Sequence, residues 1–203
     1  VSFSYPGQAL IIEKLNFIVE KNGRYLIKGP SGCGKTTVIN LLLQYYDVTS
    51  GQIKIDNIPI EQYESAYGCM TVVRQEAILF HDSLRNNLTM YQNIEDSELV
   101  KMLAQLGLNK YANRDALDEM VEENGSNLSG GERKRICLAR ALLRKTDILI
   151  LDEPLANLDD ETGEKIEDLL LQITDRTLII VSHQFTDKKV KSFDQVLRLD
   201  MYN

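Results

Sequence analysis

The residues with the clearest chemistry lie between positions 29 and 36, where glycines precede a lysine and a threonine in the pattern G-x-x-x-x-G-K-[ST]. Glycines let backbone N–H groups wrap phosphate oxygens, Lys35 can reach the β- and γ-phosphates of a nucleotide, and the Thr36 hydroxyl can hold Mg²⁺. A glycine-rich turn with a chance lysine is the alternative interpretation. The predicted strand before the loop and helix after it favour a nucleotide site. The loop consists of Gly29, Pro30, Ser31, Gly32, Cys33, Gly34, Lys35 and Thr36.

Two acidic residues, Asp152 and Glu153, follow directly after an apolar run at 148–151. Mg²⁺ prefers carboxylate oxygens and keeps part of its water shell, so Asp152 at a strand end suits a magnesium ligand. Glu153 is then placed to orient or deprotonate a water molecule that attacks the γ-phosphate. A strand ending in a solvated acidic turn is the alternative, and the phosphate loop upstream favours the catalytic interpretation.

A second glycine pair occurs in the run Leu128-Ser129-Gly130-Gly131-Glu132, just before a predicted helix. The spacing Ser129-x-x-Glu132 predicts a capping box, which is a sufficient reason for this sequence at a helix start. Two glycines that bare the backbone at a helix N-terminus also make an anion site. Because one nucleotide does not need two cradles, we expect the second cradle to serve a nucleotide bound by another copy.

The elements that position these residues follow from hydrophobic periodicity. Apolar strands that alternate with helices predict a parallel sheet covered on both faces, and the helical patterns between residues 76 and 127 predict an insertion. Short strands are expected within 1–28 and at 52–56, and buried strands at 25–28, 70–73, 147–151, 177–181 and 196–200. Helices are expected at 35–46 with Tyr45 on the packed face, from Ser97 to Leu106 with Gly107 ending it, at 131–144, and around 166–173.

Composition narrows the class of protein. The chain has 203 residues, 43% of them hydrophobic, with 23 basic against 30 acidic side chains and a net charge of -7. This charge argues against a general nucleic-acid binder, which needs a basic face. Three separated cysteines make a zinc site or a disulfide framework improbable, and no apolar run approaches the roughly 18 residues of a membrane helix. We expect a single domain that was part of a longer protein.

Together the motifs resemble the nucleotide-binding domain of ABC transporters. Residues 29–37 match the Walker A motif, which extends the phosphate loop to Thr37. Residues 128–132 match the signature motif, and residues 148–154 match the Walker B motif with its catalytic glutamate. Four smaller elements also match. They are Ser4-Tyr5-Pro6 as the aromatic loop, Gln75 as the Q-loop, Asn157-Leu158-Asp159 as the D-loop, and Ser182-His183 as the switch. All seven occur in the family's order across almost the whole chain.

The resemblance implies a fold and a subdivision. The expected fold is α/β: a P-loop NTPase (RecA-like) core with a mainly parallel sheet, an N-terminal antiparallel β part and a helical insertion. The chain 1–203 would form a single ATPase domain, with residues 1–75 and 136–203 as the nucleotide-binding core and 76–135 as a helical subdomain that carries the signature.

The resemblance also implies a role for each matched residue, with ATP and Mg²⁺ as cofactors. The catalytic residues would be Glu153, His183, Lys35 and Gln75. ATP would contact Tyr5, Gly29, Pro30, Ser31, Gly32, Cys33, Gly34, Lys35, Thr36, Thr37 and Gln75, and the metal would be held by Thr36, Gln75 and Asp152. The nucleotide of a second chain would contact Ser129, Gly130, Gly131, Glu132 and Asp159. Simpler roles are a surface or core aromatic for Tyr5 and a structural histidine for His183. Cys33 is expected to be a small filler of the loop rather than a redox switch.

Partners follow from the same resemblance. A head-to-tail dimer with a second copy or a homologous ATPase domain would bind two ATP molecules, and transmembrane domains would dock near residues 75–90 on the cytoplasmic face of the cell membrane. The stretches 75–88 and 122–127 resemble exporters. A soluble ABC ATPase acting on nucleic acid or ribosomes, and a regulatory module without turnover, are the alternatives. The net charge argues against a nucleic-acid partner, and the presence of Glu153 and His183 argues against the regulatory module. Glu132 departs from the family, which usually has Gln there.

Overall fold

The computed structural model describes residues 1–65 and 68–199. A five-stranded sheet forms its centre, in the order β4-β7-β8-β1-β9. The strands are β1 (Arg24–Lys28), β4 (Met70–Val73), β7 (Ile148–Asp152), β8 (Thr177–Val181) and β9 (Gln195–Arg198). Strand β1 pairs in parallel with β8 and β9, and β7 pairs in parallel with β8. Every residue of β8 is buried, as expected for a parallel strand covered on both faces.

The predicted strands at 70–73 and 177–181 coincide with β4 and β8. Strand β7 lies one residue later than predicted, so that Asp152 is its last residue. The final strand β9 ends at Arg198 rather than at residue 200, which lies outside the described residues. The predicted α/β class with a mainly parallel sheet is therefore confirmed.

The N-terminal antiparallel part contains less strand than predicted. Within residues 1–23 the pairing is limited to bridges that join Ser2 to Ser50 and Phe3 to Ile12. A hairpin of β2 (Lys54–Ile55) and β3 (Ile58–Pro59) replaces the predicted strand at 52–56. Its two turn residues both have positive φ, 50° at Asp56 and 66° at Asn57, as a tight two-residue hairpin requires.

The helix after the phosphate loop, α1 (Lys35–Leu42), is four residues shorter than predicted. Gln44 has φ 58°, and a left-handed residue ends an α-helix. Tyr45 therefore leaves the packed face on which periodicity placed it, and 54% of it is exposed. The prediction of a helix to residue 46 is wrong because apolar spacing does not report a left-handed turn.

The remaining helices are α2 (Leu84–Thr89), α3 (Asp96–Gln105), α4 (Arg114–Leu117), α5 (Gly130–Leu143), α6 (Asp160–Leu171) and α7 (Asp187–Val190). Two short strands, β5 (Asp82–Ser83) and β6 (Met120–Val121), pair in antiparallel orientation. The cap of α3 is Glu95 rather than Ser97, which lies inside the helix. Gly107 follows the end of α3 with φ 68°, as predicted for a terminating glycine.

The described chain groups into two compact units. The first comprises the described residues of 1–65, 68–71, 146–152 and 174–199, with Leu26, Leu149 and Ile180 in its core. The second comprises 72–145 and 153–173, with Leu99, Leu103 and Ile136 in its core. The subdivision at residues 76 and 135 stays a prediction. Within residues 1–65 and 68–199, no helix combines the length and the apolar character needed to cross a membrane.

Candidate functional site

Three of the site elements predicted from the sequence lie at the ends of strands, at one edge of the central sheet in the first unit. In the parallel register Ile27 of β1 lies opposite Val181 of β8, and Val181 lies opposite Asp152 of β7. The carboxyl ends of β1, β8 and β7 therefore lie at the same edge of the sheet, in register with one another. The phosphate loop follows β1, His183 follows β8, and Asp152 ends β7. A crevice at the carboxyl edge of a parallel sheet is where α/β proteins bind ligands.

The phosphate loop has backbone conformations that favour glycine. Gly32 and Gly34 have φ 81° and 97°, which L-residues with a side chain rarely adopt. At Gly29 the reason is packing, because a Cβ there would lie 2.5 Å from the Cys33 Sγ. Cys33 is buried, and its thiol occupies the space next to Gly29.

Helix α1 begins directly at the end of this loop. Its N-cap is Gly34, and within the described residues no side chain caps the helix. The first backbone N–H groups of an α-helix have no partner inside the helix, and the helix dipole makes this end positive. The start of α1 therefore offers backbone donors and partial positive charge to an anion.

Lys35 lies over the loop that precedes it. Its ammonium donates hydrogen bonds to the Gly29 and Pro30 carbonyl oxygens, both at 2.8 Å. An ammonium has three donors and carries a full positive charge, so Lys35 both ties the loop together and adds charge to the anion-binding surface. Thr36 is exposed beside it, and Thr37 is buried.

Tyr5 lies beside the phosphate loop through contacts at both ends of its side chain. Its hydroxyl and the Thr37 hydroxyl are 3.2 Å apart and share a hydrogen bond. Its ring packs nearly perpendicular to the rings of Phe3 and Tyr46, with centroids 5.0 and 5.1 Å away. The structure thus brings Tyr5 to residue 37 of the loop. Tyr46 is a neighbour that sequence reasoning missed because it placed this residue at the end of a longer helix.

The segment after β8 turns sharply. The buried hydroxyl of Ser182 accepts a hydrogen bond from the Gln184 N–H at 3.1 Å, a local turn that Ser favours. His183 lies between these two residues and is exposed. Its backbone position is fixed at the sheet edge that also carries Asp152.

Glu153 begins the next segment, which belongs to the second unit. It is 7% exposed and has φ 48°, an uncommon conformation for a residue with a long side chain. Such backbone strain is concentrated at functional sites. Glu153 directly follows Asp152, so two buried carboxylates succeed each other where β7 ends.

The second glycine pair starts α5 with the predicted capping box, which is confirmed. The Ser129 Oγ accepts from the Glu132 N–H at 3.2 Å, and the Glu132 carboxylate accepts from the Ser129 N–H at 2.7 Å. This second bond is the main reason why the pKa of Glu132 is below its ordinary value. Glu132 therefore stays ionised at neutral pH, and its charge lies at the helix start.

The structure places the segment 157–159 next to this helix start. A Cβ on Gly131 would lie 3.6 Å from Leu158 Cδ2. Asp159 caps α6 by accepting from the Thr162 N–H at 2.9 Å, which lowers the pKa of its carboxyl. Asp159 thus has a structural task that its predicted role did not include. Gln75, exposed two residues after β4, belongs to the same unit.

A buried polar cluster in this unit has no counterpart in the sequence reasoning. Arg140 of α5 donates to the Asn87 carbonyl oxygen at 2.6 Å, to the Asn87 Oδ1 at 3.0 Å and to the Ile78 carbonyl oxygen at 2.9 Å. Burial lowers the pKa of this guanidinium. Asn87 is fully buried and also bonds the Phe80 backbone through its side-chain oxygen and nitrogen. Arg140 and Asn87 therefore hold residues 78–80 against α5.

The oxygen atoms of Asp152 and Thr36 are suitable ligands for magnesium. Asp152 is buried at the sheet edge, and Thr36 presents its hydroxyl in the first turn of α1. A carboxylate and a hydroxyl beside a phosphate loop are the protein ligands that Mg²⁺ usually takes, with waters and phosphate oxygens as the others. The residues present therefore fit this metal.

Comparison with known proteins agrees with these observations. A family model described as "ABC transporter" matches residues 12–156. The chain belongs to the ABC transporter family. The resemblance that the motifs indicated is confirmed, and the chain is an ABC nucleotide-binding domain.

Individual relatives match this ABC domain over 98% of its length. The CydC ATP-binding/permease protein of a glutathione/L-cysteine transport system from Haemophilus influenzae is 35% identical. The ATP-binding cassette sub-family B member 6 of Xenopus tropicalis is 36% identical, and an ATP-dependent lipid A-core flippase of Alcanivorax borkumensis is 31% identical. The chain covers 36%, 24% and 35% of these proteins.

A solved structure of a bacterial Atm1-family ABC exporter with ATP bound matches with a TM-score of 0.87 at 30% identity. The match covers 98% of this chain and 36% of that one. It confirms the predicted ABC fold class. In sequence and in fold, the ABC domain described here therefore corresponds to about a third of an exporter chain.

Proposed function

We propose that this domain binds ATP with Mg²⁺ and hydrolyses it to drive an ABC exporter. The observation that supports this most directly is the level register of β1, β8 and β7, from which the phosphate loop, His183 and Asp152 emerge at one sheet edge. Membership of the ABC family supports the same assignment.

In this proposal the nucleotide lies on the phosphate loop. Backbone N–H groups of residues 29–37 and the Lys35 ammonium bind the phosphates, and Tyr5 stacks on adenine. Thr36, Asp152 and Gln75 hold Mg²⁺, which when bound neutralises charge on the β- and γ-phosphates. Thr37 is a further proposed ATP contact of the loop, and its buried hydroxyl also bonds the Tyr5 hydroxyl.

The chemical step is assigned to residues around the strand ends. Glu153 accepts a proton from the attacking water as that water forms a bond to the γ-phosphorus, while the bond from phosphorus to the bridging oxygen of ADP breaks. His183 donates a hydrogen bond to the γ-phosphate, and Gln75 orients the water. The buried, left-handed position of Glu153 supports its assignment because it restricts where the carboxylate can point.

The signature residues are assigned to the nucleotide of a second chain. Ser129, Gly130, Gly131 and Glu132 form a helix start, and Asp159 lies near it. A helix start with two glycines is an anion site. ATP would join two copies, or this domain and a homologous one, head to tail. Loss of the γ-phosphate would remove the group that holds both chains, so the dimer would reopen.

Transmembrane domains are the proposed second partner, with this domain on the cytoplasmic face of the cell membrane. Residues 75–90 are the proposed docking region, and Ile78, Phe80 and Met90 expose apolar side chains there. Exposed apolar groups clustered on one stretch are typical of an interaction surface. The export direction rests on the exporter-like stretches of the sequence and on the relatives, among them a flippase and an exporter.

The substitution Glu153→Gln tests the chemical assignment. It removes the general base but keeps the side-chain shape, so we expect ATP hydrolysis to fall by at least about 100-fold. ATP binding should persist, and the unhydrolysed nucleotide should trap a dimer. Phosphate release, calorimetric titration with ATP, and size-exclusion chromatography with light scattering measure these three properties.

Glu161→Gln is the matched control. Glu161 is an exposed carboxylate in the first turn of α6 and pairs with Lys165 at 2.6 Å. The control should hydrolyse ATP like the unmodified domain. Unchanged turnover in Glu153→Gln would refute the general-base assignment, and failure to form an ATP-dependent dimer would refute the shared-site proposal.

A further inference from the structure

Three aromatic rings pack together in the first unit next to the phosphate loop. Phe3 is buried, Tyr5 is half-buried, and Tyr46 is 43% exposed. The planes of Tyr5 and Tyr46 meet at 89° with centroids 5.1 Å apart, and Phe3 lies 5.0 Å from Tyr5 and 5.8 Å from Tyr46. Near-perpendicular ring pairs at these distances are a favourable aromatic geometry.

We propose that Tyr46 is a positioning residue for nucleobase binding, because its ring fixes the plane in which Tyr5 stacks on adenine. This inference rests on the proposed stacking role of Tyr5. It adds a residue that touches Tyr5 rather than the nucleotide, and it connects base recognition to the far end of α1.

The first turn of α1 and the segment after the helix both contact the Tyr5 side chain. Thr37, in the first turn of the helix, bonds the Tyr5 hydroxyl at 3.2 Å. Tyr46, four residues after the helix ends, contacts the Tyr5 ring. An aromatic side chain has two rotatable bonds, and a fixed hydroxyl together with a fixed ring neighbour defines both. The Tyr5 ring is thereby set in one orientation relative to the phosphate loop.

The backbone that carries Tyr46 is itself held in place. Gln44 adopts φ 58°, a left-handed conformation that stops α1 from continuing to Tyr46. The Gln44 side chain donates to the Ile60 carbonyl oxygen at 2.5 Å, and the Tyr45 N–H donates to the Asn40 carbonyl oxygen at 2.9 Å. A left-handed conformation is unfavourable for a residue with a Cβ, so it persists only where surrounding contacts determine it. The position of Tyr46 is thus specified by the fold.

The test measures the affinity of the domain for two ligands by calorimetric titration with Mg²⁺ present. ATP contains the base, whereas tripolyphosphate contains only the phosphate chain. Tyr46→Leu should weaken ATP binding by roughly two- to tenfold, the range that an aromatic pair contributes. It should leave tripolyphosphate binding unchanged. Tyr46→Phe keeps the ring and should bind both ligands like the unmodified domain.

Tyr45→Leu is the matched control, because Tyr45 is an exposed tyrosine one position away. It should bind both ligands normally. Equal loss of ATP and tripolyphosphate affinity in Tyr46→Leu would overturn the inference, since the residue would then act on the loop or the fold as a whole. Unchanged ATP affinity in Tyr46→Leu would overturn it as well.

A double-substitution cycle separates this inference from the proposed function. With Tyr5 already replaced by Leu, Tyr46→Leu should cause no further loss of ATP affinity, because a positioning residue acts only through its partner. Additive losses would overturn the inference alone. If Tyr5→Leu by itself leaves ATP affinity unchanged, the stacking assignment fails, and the role of Tyr46 fails with it.

Discussion

Two helices of this domain have glycines at their starts, and they begin in different ways. Helix α1 follows Gly34, which has φ 97°, and within the described residues no side chain caps it. Helix α5 follows Ser129, and the Ser129 and Glu132 side chains cap each other's backbone N–H groups. Gly32 and Gly34 of the α1 loop have conformations that residues with a side chain rarely adopt, whereas Gly130 and Gly131 are ordinary helical residues.

This difference distinguishes the two anion sites that we propose. The start of α1 provides backbone donors together with the positive charge of Lys35, which suits a site that must bind a nucleotide by itself. The start of α5 is stabilised by the chain's own groups, and it carries the negative charge of Glu132. The α5 start therefore folds without a ligand and offers a weaker attraction to phosphate, as expected for a site that completes a nucleotide site formed by another chain.

Among the substitutions that test this comparison, Lys35→Ala should have the largest effect, a loss of ATP affinity. It removes the cation that in the proposed function would donate charge-assisted hydrogen bonds to the phosphates, so we expect the affinity for ATP to fall by about 100-fold or more, as measured by calorimetric titration. Lys14→Ala, which removes a lysine whose side chain is 86% exposed, should leave the affinity unchanged. Retained ATP affinity in Lys35→Ala would show that the α1 loop is not the primary cradle.

The substitutions Gly34→Ala and Gly130→Ala compare the two helix starts through the free energy of unfolding. Gly34→Ala forces a Cβ into a left-handed conformation and to 3.0 Å from Ile11 Cγ2, so the free energy of unfolding should fall by about 1–3 kcal/mol. A Cβ on Gly130 would meet only the Arg133 Nη2 at 3.8 Å. Gly130→Ala should therefore leave stability unchanged or raise it by up to about 1 kcal/mol. Urea denaturation measures both values.

Gly130→Ala should nevertheless weaken ATP-dependent dimerisation, because the added methyl group covers backbone that would face the phosphates of the second chain. The combination of normal stability and weak dimerisation would locate the function of this loop between chains. Normal dimerisation in Gly130→Ala would instead indicate that the loop serves only to start α5.

Glu132→Gln should have the smallest effect and depend on pH. The hydrogen bond from the Ser129 N–H holds the pKa of Glu132 below its ordinary value of 4.5, so the ionised side chain stabilises the fold above that pH. This stabilisation is lost as the pH falls through the lowered pKa. The variant should be less stable than the unmodified domain by about 0.3–1 kcal/mol at pH 7, and the gap should close as the pH falls through the lowered pKa of Glu132.

The same variant should dimerise with ATP a few-fold more readily, since a negative charge near the phosphates of the partner's nucleotide is removed. Denaturation at several pH values and light scattering with ATP measure the two effects. A stability gap independent of pH would mean that the Glu132 charge has no part in capping α5.

Much of the fold could be predicted because the signals were local. Buried parallel strands are continuous apolar runs, so β4 and β8 were predicted at their observed bounds. The capping box was predicted from two residues three positions apart, and the structure confirms both bonds. The C-terminal end of α1 was predicted wrongly, since a left-handed residue such as Gln44 is not a glycine and leaves little trace in composition. Residues 1–23 contain bridges where short strands were predicted.

The candidate site likewise has features that the sequence determined and features that only the tertiary structure decided. The residue types and spacing of 29–37, 128–132 and 152–153 determined, by sequence alone, which chemistry each segment can perform, because glycine conformations, capping and carboxylate ligands depend on neighbours along the chain. Only the tertiary structure decided that Asp152 and Val181 share a register, that the Tyr5 ring rests against Tyr46, and that Arg140 holds Asn87. These contacts join residues distant in sequence, and their geometry follows from how whole strands and helices pack.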